Sequence, residues 1–148
     1  MTRKQYSKSD IKKFVEINPF TDSLMNKKSK VVEEEDIIKI DEVVSLIKID
    51  GVWLPHLKVL LSHPNILPKV TVDMGAVKFV VNGADIMRPG ITVVEEFQKD
   101  DFVTIIDVNN KKSLAVGKAL LSSTDMKQQS SGKSIKNCFW VGDKYWGL

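Results

Sequence analysis

The sequence predicts an α+β protein in two parts: a small α+β domain over residues 1–67 and a small barrel-like β domain with two short helices over residues 68–148. Three observations lead to this prediction. A helical pattern opens the chain, many short segments bounded by turn residues follow, and the proline-punctuated segment HPNILP at residues 63–68 divides the two parts. The length of 148 residues is sufficient for one domain or for two small ones.

The first part is expected to begin with a helix. Ser7 and Asp10 form a capping pair ahead of apolar residues at helical spacing, and Pro19 is expected to end this helix. A second, short helix is expected over residues 55–61, where apolar residues again recur at helical spacing after a proline. Together they place one helix at each end of the first part.

Short strands are expected between these two helices. The acidic residues at 33–36 and 41–42 are typical of exposed turns, and residues 43–49 are rich in β-branched side chains. Asp50 followed by Gly51 is a strong signal for a two-residue hairpin turn. This pattern predicts a small antiparallel sheet.

The second part has the pattern of a small β-barrel. Asn82 with Gly83 is expected to stop its first helix, and Ser122 is expected to cap the second. The helices are predicted over residues 74–81 and from 122 through about 129. Strands are predicted over residues 70–73, 102–108, 114–121, 134–141 and 145–148, and an irregular pair of strands broken at Pro89 and Gly90 is predicted over residues 84–94.

Composition and charge limit the classes of function. The net charge is +3, from 22 basic and 19 acidic residues, so any RNA contact is expected to be a local patch. No stretch reaches the roughly 18 apolar residues of a membrane span, and the basic start of the chain lacks the apolar core of a signal peptide. We therefore expect a cytoplasmic protein without a membrane role.

The residues give no sign of catalysis, of a metal site or of a cofactor. Cys138 is the sole cysteine, and His56 and His63 have no cluster of thiols or carboxylates near them in the sequence. The string SSGKS resembles the end of a phosphate-binding loop, but Lys127 stands where such a loop needs its first glycine. We expect no enzyme activity.

Residues 72–91 carry the most information about function. Small residues recur there in pairs, Gly75 with Ala76 and Gly83 with Ala84, and such positions allow another backbone to approach closely. Cationic side chains stand beside these glycines and along the rest of the second part, where they could contact phosphates. The alternative, that the glycines only shape the barrel and the cations are solvated, stays open at this point. The candidate RNA-binding residues are Lys69, Gly75, Ala76, Lys78, Gly83, Ala84, Arg88, Pro89, Gly90, Lys118 and Lys133.

The order of several short motifs resembles a known family. VDMGAVKFVVNGADIMRPGI, AVGKALLSSTDM, GK and GDKYW follow one another as in a PUA domain. With the preceding WLPHLKVLLSHPNILPK, the chain resembles the malignant T-cell amplified sequence family, which includes ligatin and has a small pre-PUA domain. The resemblance implies a pre-PUA α+β domain over residues 1–67 and a PUA pseudo-barrel over 68–148.

The resemblance also implies a function in translation. The expected role is non-enzymatic binding of RNA, namely the acceptor end of tRNA, rRNA in the small ribosomal subunit, or both, during initiation, re-initiation or recycling. The groove beside the helix at 74–81 would hold the RNA, with Lys78 and Arg88 binding phosphates. A protein partner with an initiation-factor-like domain is expected by analogy with eukaryotic relatives. Two alternatives remain: an RNA-binding accessory subunit of a tRNA- or rRNA-modifying enzyme, and a protein-interaction adaptor using acidic residues 33–36.

Overall fold

The computed structural model describes residues 2–148, which separate into two compact units. The first unit extends to His56, and the second comprises Leu57 to Leu148. Both contain helices and strands, so the α+β prediction is confirmed. Within residues 2–148 no helix is long and apolar enough to span a membrane.

The first unit is an antiparallel five-stranded sheet with one α-helix. Its strands are hydrogen-bonded in sequence order, and the helix α1 (Lys8–Ile17) follows the first strand. The edge strand β1 was not predicted, because three polar residues carry no apolar alternation. The strands are β1 (Arg3–Gln5), β2 (Val31–Glu34), β3 (Ile37–Ile40), β4 (Val43–Ile49) and β5 (Val52–Pro55).

Local capping and packing form this unit as predicted. Ser7 and Asp10 make a reciprocal capping box, in which each side chain accepts a hydrogen bond from the other residue's backbone N–H at 3.0 Å. Helix α1 ends before Pro19, which opens a short 3₁₀ turn. Ile11 and Phe14 face the sheet and pack into the core of this unit.

The turns of the sheet partly match the prediction. Asp50 and Gly51 both adopt positive φ and connect β4 to β5, as the hairpin signal indicated. The expectation that residues 33–36 form an exposed turn is wrong for Glu33 and Glu34, which belong to β2. Glu33 is held there by the hydroxyl of Tyr6, which donates to its carboxylate at 2.6 Å.

The second unit is a six-stranded sheet with three α-helices. Helix α2 (Leu57–Ser62) precedes the sheet, and the hydrogen-bonded strand order is β7-β11-β10-β9-β6-β8. Strands β6 and β9 are parallel, and every other pair is antiparallel. The strands are β6 (Lys69–Val72), β7 (Ile86–Met87), β8 (Ile91–Val94), β9 (Phe102–Asp107), β10 (Ser113–Ala119) and β11 (Lys133–Trp140).

Two short helices accompany this sheet, as predicted. They are α3 (Met74–Val80) and α4 (Ser123–Gln128). The N-cap side chains, Asp73 and Ser122, accept hydrogen bonds from the backbone N–H groups of Ala76 and Asp125 respectively. The core of the unit is built by inward-facing residues of the strands and by one residue from each helix. It includes Val70, Val72, Val80, Ile86, Ile91, Val103, Ile105, Ala115, Met126 and Ile135.

The prediction of a last strand over residues 145–148 is wrong. Residues 145–148, which the structure describes, form turns and a terminal residue without regular structure. The cause is Asp143, whose carboxylate accepts hydrogen bonds from the backbone N–H groups of Trp140, Tyr145 and Trp146 at 2.9–3.0 Å. These bonds use donors that a strand ladder would need.

The boundary between compact units precedes the predicted domain boundary. Helix α2 packs on β10 and therefore belongs to the second unit by its contacts. The division into a domain over residues 1–67 and a domain over 68–148 stays a prediction.

Candidate functional site

A groove of about 620 Å³ runs beside α3. We call it the α3 groove. Its walls are α3 with its N-cap residue, the segment that follows α3, strand β7 and the 3₁₀ turn Arg88–Gly90. The lining residues are Asp73, Gly75, Ala76, Phe79, Val80, Ala84, Asp85, Ile86, Met87, Pro89, Gly90 and Lys133.

The start of α3 gives the groove an open wall. The carboxylate of Asp73 accepts a hydrogen bond from the backbone N–H of Ala76 at 2.9 Å and so fixes the first turn. Gly75 is exposed, and a Cβ placed there would meet only the Asp73 carboxylate, at 3.5 Å. The small residues thus leave space on this side of the helix.

Phe79 makes the same wall aromatic further along the helix. Its side chain is 58% exposed although Val80, the next residue, is buried in the core. Met87 faces the groove from β7 and is 46% exposed. An exposed aromatic ring and a thioether beside it form an apolar surface that water covers poorly.

The segment after α3 is held rigidly by Asn137. Its side-chain amide donates to the backbone carbonyls of Val80 at 3.0 Å and Ala84 at 3.1 Å, and its backbone N–H donates to Asp85 at 3.0 Å. The Val80 carbonyl also accepts from the backbone N–H of Gly83 at 3.0 Å, so the amide adds a second bond at the end of α3 and a further one four residues later. The groove wall at Ala84 and Asp85 is therefore fixed to strand β11.

Gly83 is required in this segment by its backbone conformation and its packing against Trp140. Its φ is +90°, and a Cβ at this position would lie 2.7 Å from the ring of Trp140. Only glycine combines that backbone conformation with such close packing. Gly83 does not line the groove, so its effect on a ligand would be indirect.

The 3₁₀ turn closes the groove from the other side. Gly90 approaches α3 so closely that a Cβ on it would lie 3.0 Å from the Cβ of Ala76. The backbone carbonyl of Gly90 accepts a hydrogen bond from the N–H of Asp73 at 2.9 Å. The φ of Gly90 is not positive, so its requirement for glycine comes from this close approach.

The charges in the groove are few and partly paired. Two carboxylates, Asp73 and Asp85, line it together with the ammonium of Lys133, which lies 3.2 Å from Asp85. The remaining lining residues are apolar or glycine. The groove is thus suited to an apolar, planar group with polar edges and poorly suited to a run of phosphates.

The two cations expected to bind phosphates lie outside the groove lining. Lys78 is exposed at the end of α3, with its Nζ 5.1 Å from the centre of the Phe79 ring. The guanidinium of Arg88 is turned inward: its Nε donates to the carbonyl of Met126 at 2.7 Å and Nη1 donates to the carbonyl of Ile91 at 3.0 Å. Arg88 therefore joins the 3₁₀ turn to α4.

The other two predicted cations are also separate from the groove. Lys69 is the first residue of β6, whereas α3 follows the end of that strand. The ammonium of Lys69 lies 2.7 Å from Asn65 Oδ1 and 3.9 Å from Glu95. Lys118 lies on β10 opposite Lys136 of β11. Of the eleven predicted residues, the structure brings six together in the groove. They are Gly75, Ala76, Ala84, Pro89, Gly90 and Lys133.

Three residues important to the groove were missed as site residues. Asp73 carried a detectable signal, because an aspartate three residues before Ala76 marks a helix N-cap. Phe79 follows the apolar pattern of its helix, and that pattern does not reveal that its ring is exposed. Asn137 had no local signal, since its partners lie more than fifty residues away in the chain.

The structure offers no group of metal ligands within residues 2–148. No three His, Cys, Asp or Glu side chains of this part of the chain cluster in a way that could hold a metal ion. His56 is buried and His63 is exposed.

Comparison with protein families identifies one domain. Residues 68–139 match the family described as PUA domain. This match covers α3, the α3 groove and every strand of the second unit up to Phe139.

Related proteins match nearly the whole chain. An uncharacterized protein of Methanocaldococcus jannaschii is 40% identical, with 99% of this chain and 97% of that protein covered. Translation machinery-associated protein 20 of Saccharomyces cerevisiae is 31% identical, with 93% and 83% covered. Malignant T-cell-amplified sequence 1 of Rattus norvegicus is 32% identical, with 93% and 81% covered.

A solved structure has the same fold throughout. The crystal structure of a hypothetical protein from Pyrococcus horikoshii superposes with a TM-score of 0.83 at 29% identity. The comparison covers 99% of this chain and 98% of that one, so the similarity includes both compact units.

Proposed function

Because this chain belongs to the family of translation machinery-associated protein 20 and the malignant T-cell-amplified sequence proteins, we propose that it is an RNA-binding protein of the translation machinery. It acts in the cytoplasm, and it positions RNA without carrying out a reaction. The α3 groove of its PUA domain is the binding site. The observation that carries the proposal is an open, mostly apolar groove with an exposed aromatic ring at Phe79.

The groove suits an unpaired nucleotide. A base that has left its helix presents two apolar faces and polar edges, and it gains free energy by stacking on an aromatic side chain. Phe79 supplies the ring, and Asp73 and Asp85 supply oxygen atoms that can accept hydrogen bonds from base amino groups. A paired duplex could not present its bases to such a site.

Phosphates are held outside the groove. Lys78 lies beside Phe79, and Lys133 lies at the far wall, so both can reach the backbone of a nucleotide whose base is in the groove. Gly75 lets the backbone of the RNA come close to the helix. Arg88 supports this site through its hydrogen bonds to Met126 and Ile91.

The RNA proposed for this site is the acceptor end of tRNA, bound on the small ribosomal subunit during initiation, re-initiation or recycling. Its unpaired 3′ nucleotides are the kind of ligand that the groove can accept. The name of the yeast relative, translation machinery-associated protein 20, supports a place in translation. A protein with an initiation-factor-like domain is the expected partner.

Binding to tRNA tests the groove directly. We expect the purified chain to bind tRNA with an intact 3′ end, and to bind tRNA trimmed of its unpaired 3′ nucleotides much more weakly. Phe79→Ala should weaken binding roughly 5- to 150-fold, since stacking of one base contributes about 1–3 kcal/mol. Because Phe79 is more than half exposed, the thermal midpoint of the Phe79→Ala variant should stay close to that of the wild type.

Two controls separate stacking from general charge. Lys78→Gln should lower the slope of log affinity against log salt by roughly 0.7–0.9, whereas Phe79→Ala should leave that slope unchanged. Lys99→Gln, an exposed lysine outside the groove, should leave both quantities unchanged. Equal affinity for intact and trimmed tRNA, with no effect of Phe79→Ala, would contradict the groove assignment.

The cellular role requires a separate measurement. Tagged chain should co-sediment with small ribosomal subunits, and Phe79→Ala should reduce the fraction bound. Co-purification with an RNA-modifying enzyme in place of small subunits would instead support the accessory-subunit alternative.

A further inference from the structure

A second groove, of about 690 Å³, lies between α2, the turn from β9 to β10 and the end of the chain. We call it the α2 groove. All its lining residues belong to the second compact unit, and none of them lines the α3 groove. They are Leu60, Leu61, Pro64, Asn110, Lys111, Lys112, Ser113, Leu114, Val141 and Trp146.

The floor of the α2 groove is aliphatic. Helix α2 buries Leu57 and Leu60 against the rest of its unit but leaves Leu61 half exposed. Leu114 and Val141 extend the apolar surface from β10 and from the residue after β11. Leu61, Leu114 and Val141 thus belong to one apolar surface, and contiguous apolar surfaces of this kind are typical of interaction sites.

The rim of the α2 groove is positively charged. Lys111 and Lys112 line it and are exposed, and the Nζ of Lys58 lies 5.2 Å from the centre of the Trp146 ring at its edge. None of the described lining residues is a carboxylate. The rim thus combines two exposed lysines, Lys111 and Lys112, with an apolar floor.

Two carboxylates of the adjoining segments, Asp107 and Asp143, are hydrogen-bonded to backbone N–H groups. Asp107 is 3% exposed and accepts hydrogen bonds from the backbone N–H groups of Asn110 at 2.7 Å and Lys112 at 3.0 Å. Asp143 accepts hydrogen bonds from the backbone of the chain end. Both are committed to shaping the walls of the groove.

We propose that the α2 groove docks a short segment of a partner protein that combines aliphatic or aromatic residues with aspartate or glutamate. Apolar side chains of the segment cover Leu61 and its neighbours, and its carboxylates pair with the lysines of the rim. The positive rim requires negative charge on the partner segment, and the aliphatic floor requires apolar side chains on it.

The surface favours a peptide over a second RNA contact. RNA-binding platforms expose aromatic rings on which bases stack. Here the one aromatic lining residue, Trp146, is only partly exposed and has the Lys58 ammonium 5.2 Å from its ring centre, and the other apolar lining residues are leucine, valine and proline. Lys133, in the α3 groove, and Val141, in the α2 groove, lie at opposite ends of β11, roughly 25 Å apart at the rise of an extended strand. Both grooves can therefore be occupied at once.

Selection from a random peptide library tests the proposal before any partner is identified. A phage-displayed library of 12-residue peptides is panned on the full-length chain, with counter-selection on the variant Leu61→Ser/Lys111→Gln/Lys112→Gln. We expect enrichment of peptides that carry net negative charge and at least two large apolar residues. A synthetic peptide from this pool should bind roughly tenfold more weakly to Leu61→Ser and roughly fivefold more weakly to Lys111→Gln/Lys112→Gln.

Matched variants assign the binding to the groove. Phe79→Ala, which alters the α3 groove, should not change the affinity for the peptide, and unchanged thermal midpoints should show that all the variants are folded. Failure to enrich any groove-dependent peptide, or enrichment of peptides without net negative charge, would overturn the proposal. Tight binding of single-stranded oligonucleotides that Lys111→Gln/Lys112→Gln abolishes would also overturn it, in favour of an RNA contact.

Discussion

Replacing Arg88 with glutamine should lower the free energy of unfolding of the second unit. Its effect on direct contacts with RNA should be smaller. The guanidinium donates two hydrogen bonds from a charged group to backbone carbonyls, one at Met126 and one at Ile91. Bonds from charged donors contribute about 1.5–3 kcal/mol each. The Met126 carbonyl also accepts from the N–H of Gln129, which lessens the penalty when the guanidinium is removed. We therefore expect a loss of about 2 kcal/mol.

The change is large enough to measure by thermal unfolding. For a unit of the size of residues 57–148, 1 kcal/mol corresponds to a shift of roughly 4–8 °C, so Arg88→Gln should lower the midpoint by roughly 8–16 °C. Fluorescence of Trp140 and Trp146, which belong to this unit, would report its unfolding. Lys78→Gln is the matched control, and its midpoint should change by less than about 2 °C.

A second variant separates structure from phosphate binding. Arg88→Lys keeps the positive charge but cannot reproduce two bonds in fixed directions. It should be destabilised nearly as much as Arg88→Gln, while its affinity for tRNA, measured well below its midpoint, should stay near that of the wild type. The reasoning is refuted if Arg88→Gln keeps the wild-type midpoint but binds tRNA tenfold more weakly, and Arg88→Lys restores that binding.

Three further substitutions test other features of the second unit. Gly83→Ala should destabilise it by about 1–3 kcal/mol in denaturant titration, because a Cβ would lie 2.7 Å from Trp140 at positive φ; an unchanged midpoint would contradict the packing argument. Gly75→Leu should keep or raise the thermal midpoint but weaken tRNA binding roughly tenfold, because the helix tolerates a side chain that then fills the groove, and Gly75→Ala should have a smaller effect. Burial alone would raise the pKa of Asp107, but backbone N–H donors outweigh it and hold the pKa below its usual value. The ionised Asp107 carboxylate thus stabilises the fold above about pH 4, and this stabilisation is lost as the pH falls through the lowered folded-state pKa. In that pH range the difference in unfolding free energy between wild type and Asp107→Asn should shrink.

Features set by neighbouring residues were predictable from the sequence. The capping box of Ser7 with Asp10, the hairpin at Asp50 and the helix stop at Gly83 each involve residues within a few positions of one another. Their physical causes are local backbone donors and steric limits on φ, which a sequence pattern encodes directly. The succession of strands and short helices in the second part followed from the same signals.

Features set by distant contacts were not predictable in the same way. The inward turn of Arg88 depends on a carbonyl of α4, 38 positions later, and the second bond at the end of α3 depends on Asn137, 57 positions from Val80. The sequence around a cation such as Arg88 is the same whether its side chain faces solvent or bonds to a buried carbonyl. The sequence therefore grouped the small residues that line the groove but could not show that the Arg88 guanidinium bonds to backbone carbonyls. That these residues bind RNA stays a prediction.

The charge of the α3 groove sharpens what the site can select. Its lining contains two carboxylates and one ammonium, so a phosphate chain lying along it would be repelled, although the whole protein carries a net charge of +3. Under the proposed function, affinity for the RNA backbone must then come from lysines around the groove, and selectivity must come from the base that enters it. Because these two contributions arise from different residues, Lys78→Gln should act on the salt dependence and Phe79→Ala on the preference for an unpaired end. A site that bound RNA by charge alone could not separate them.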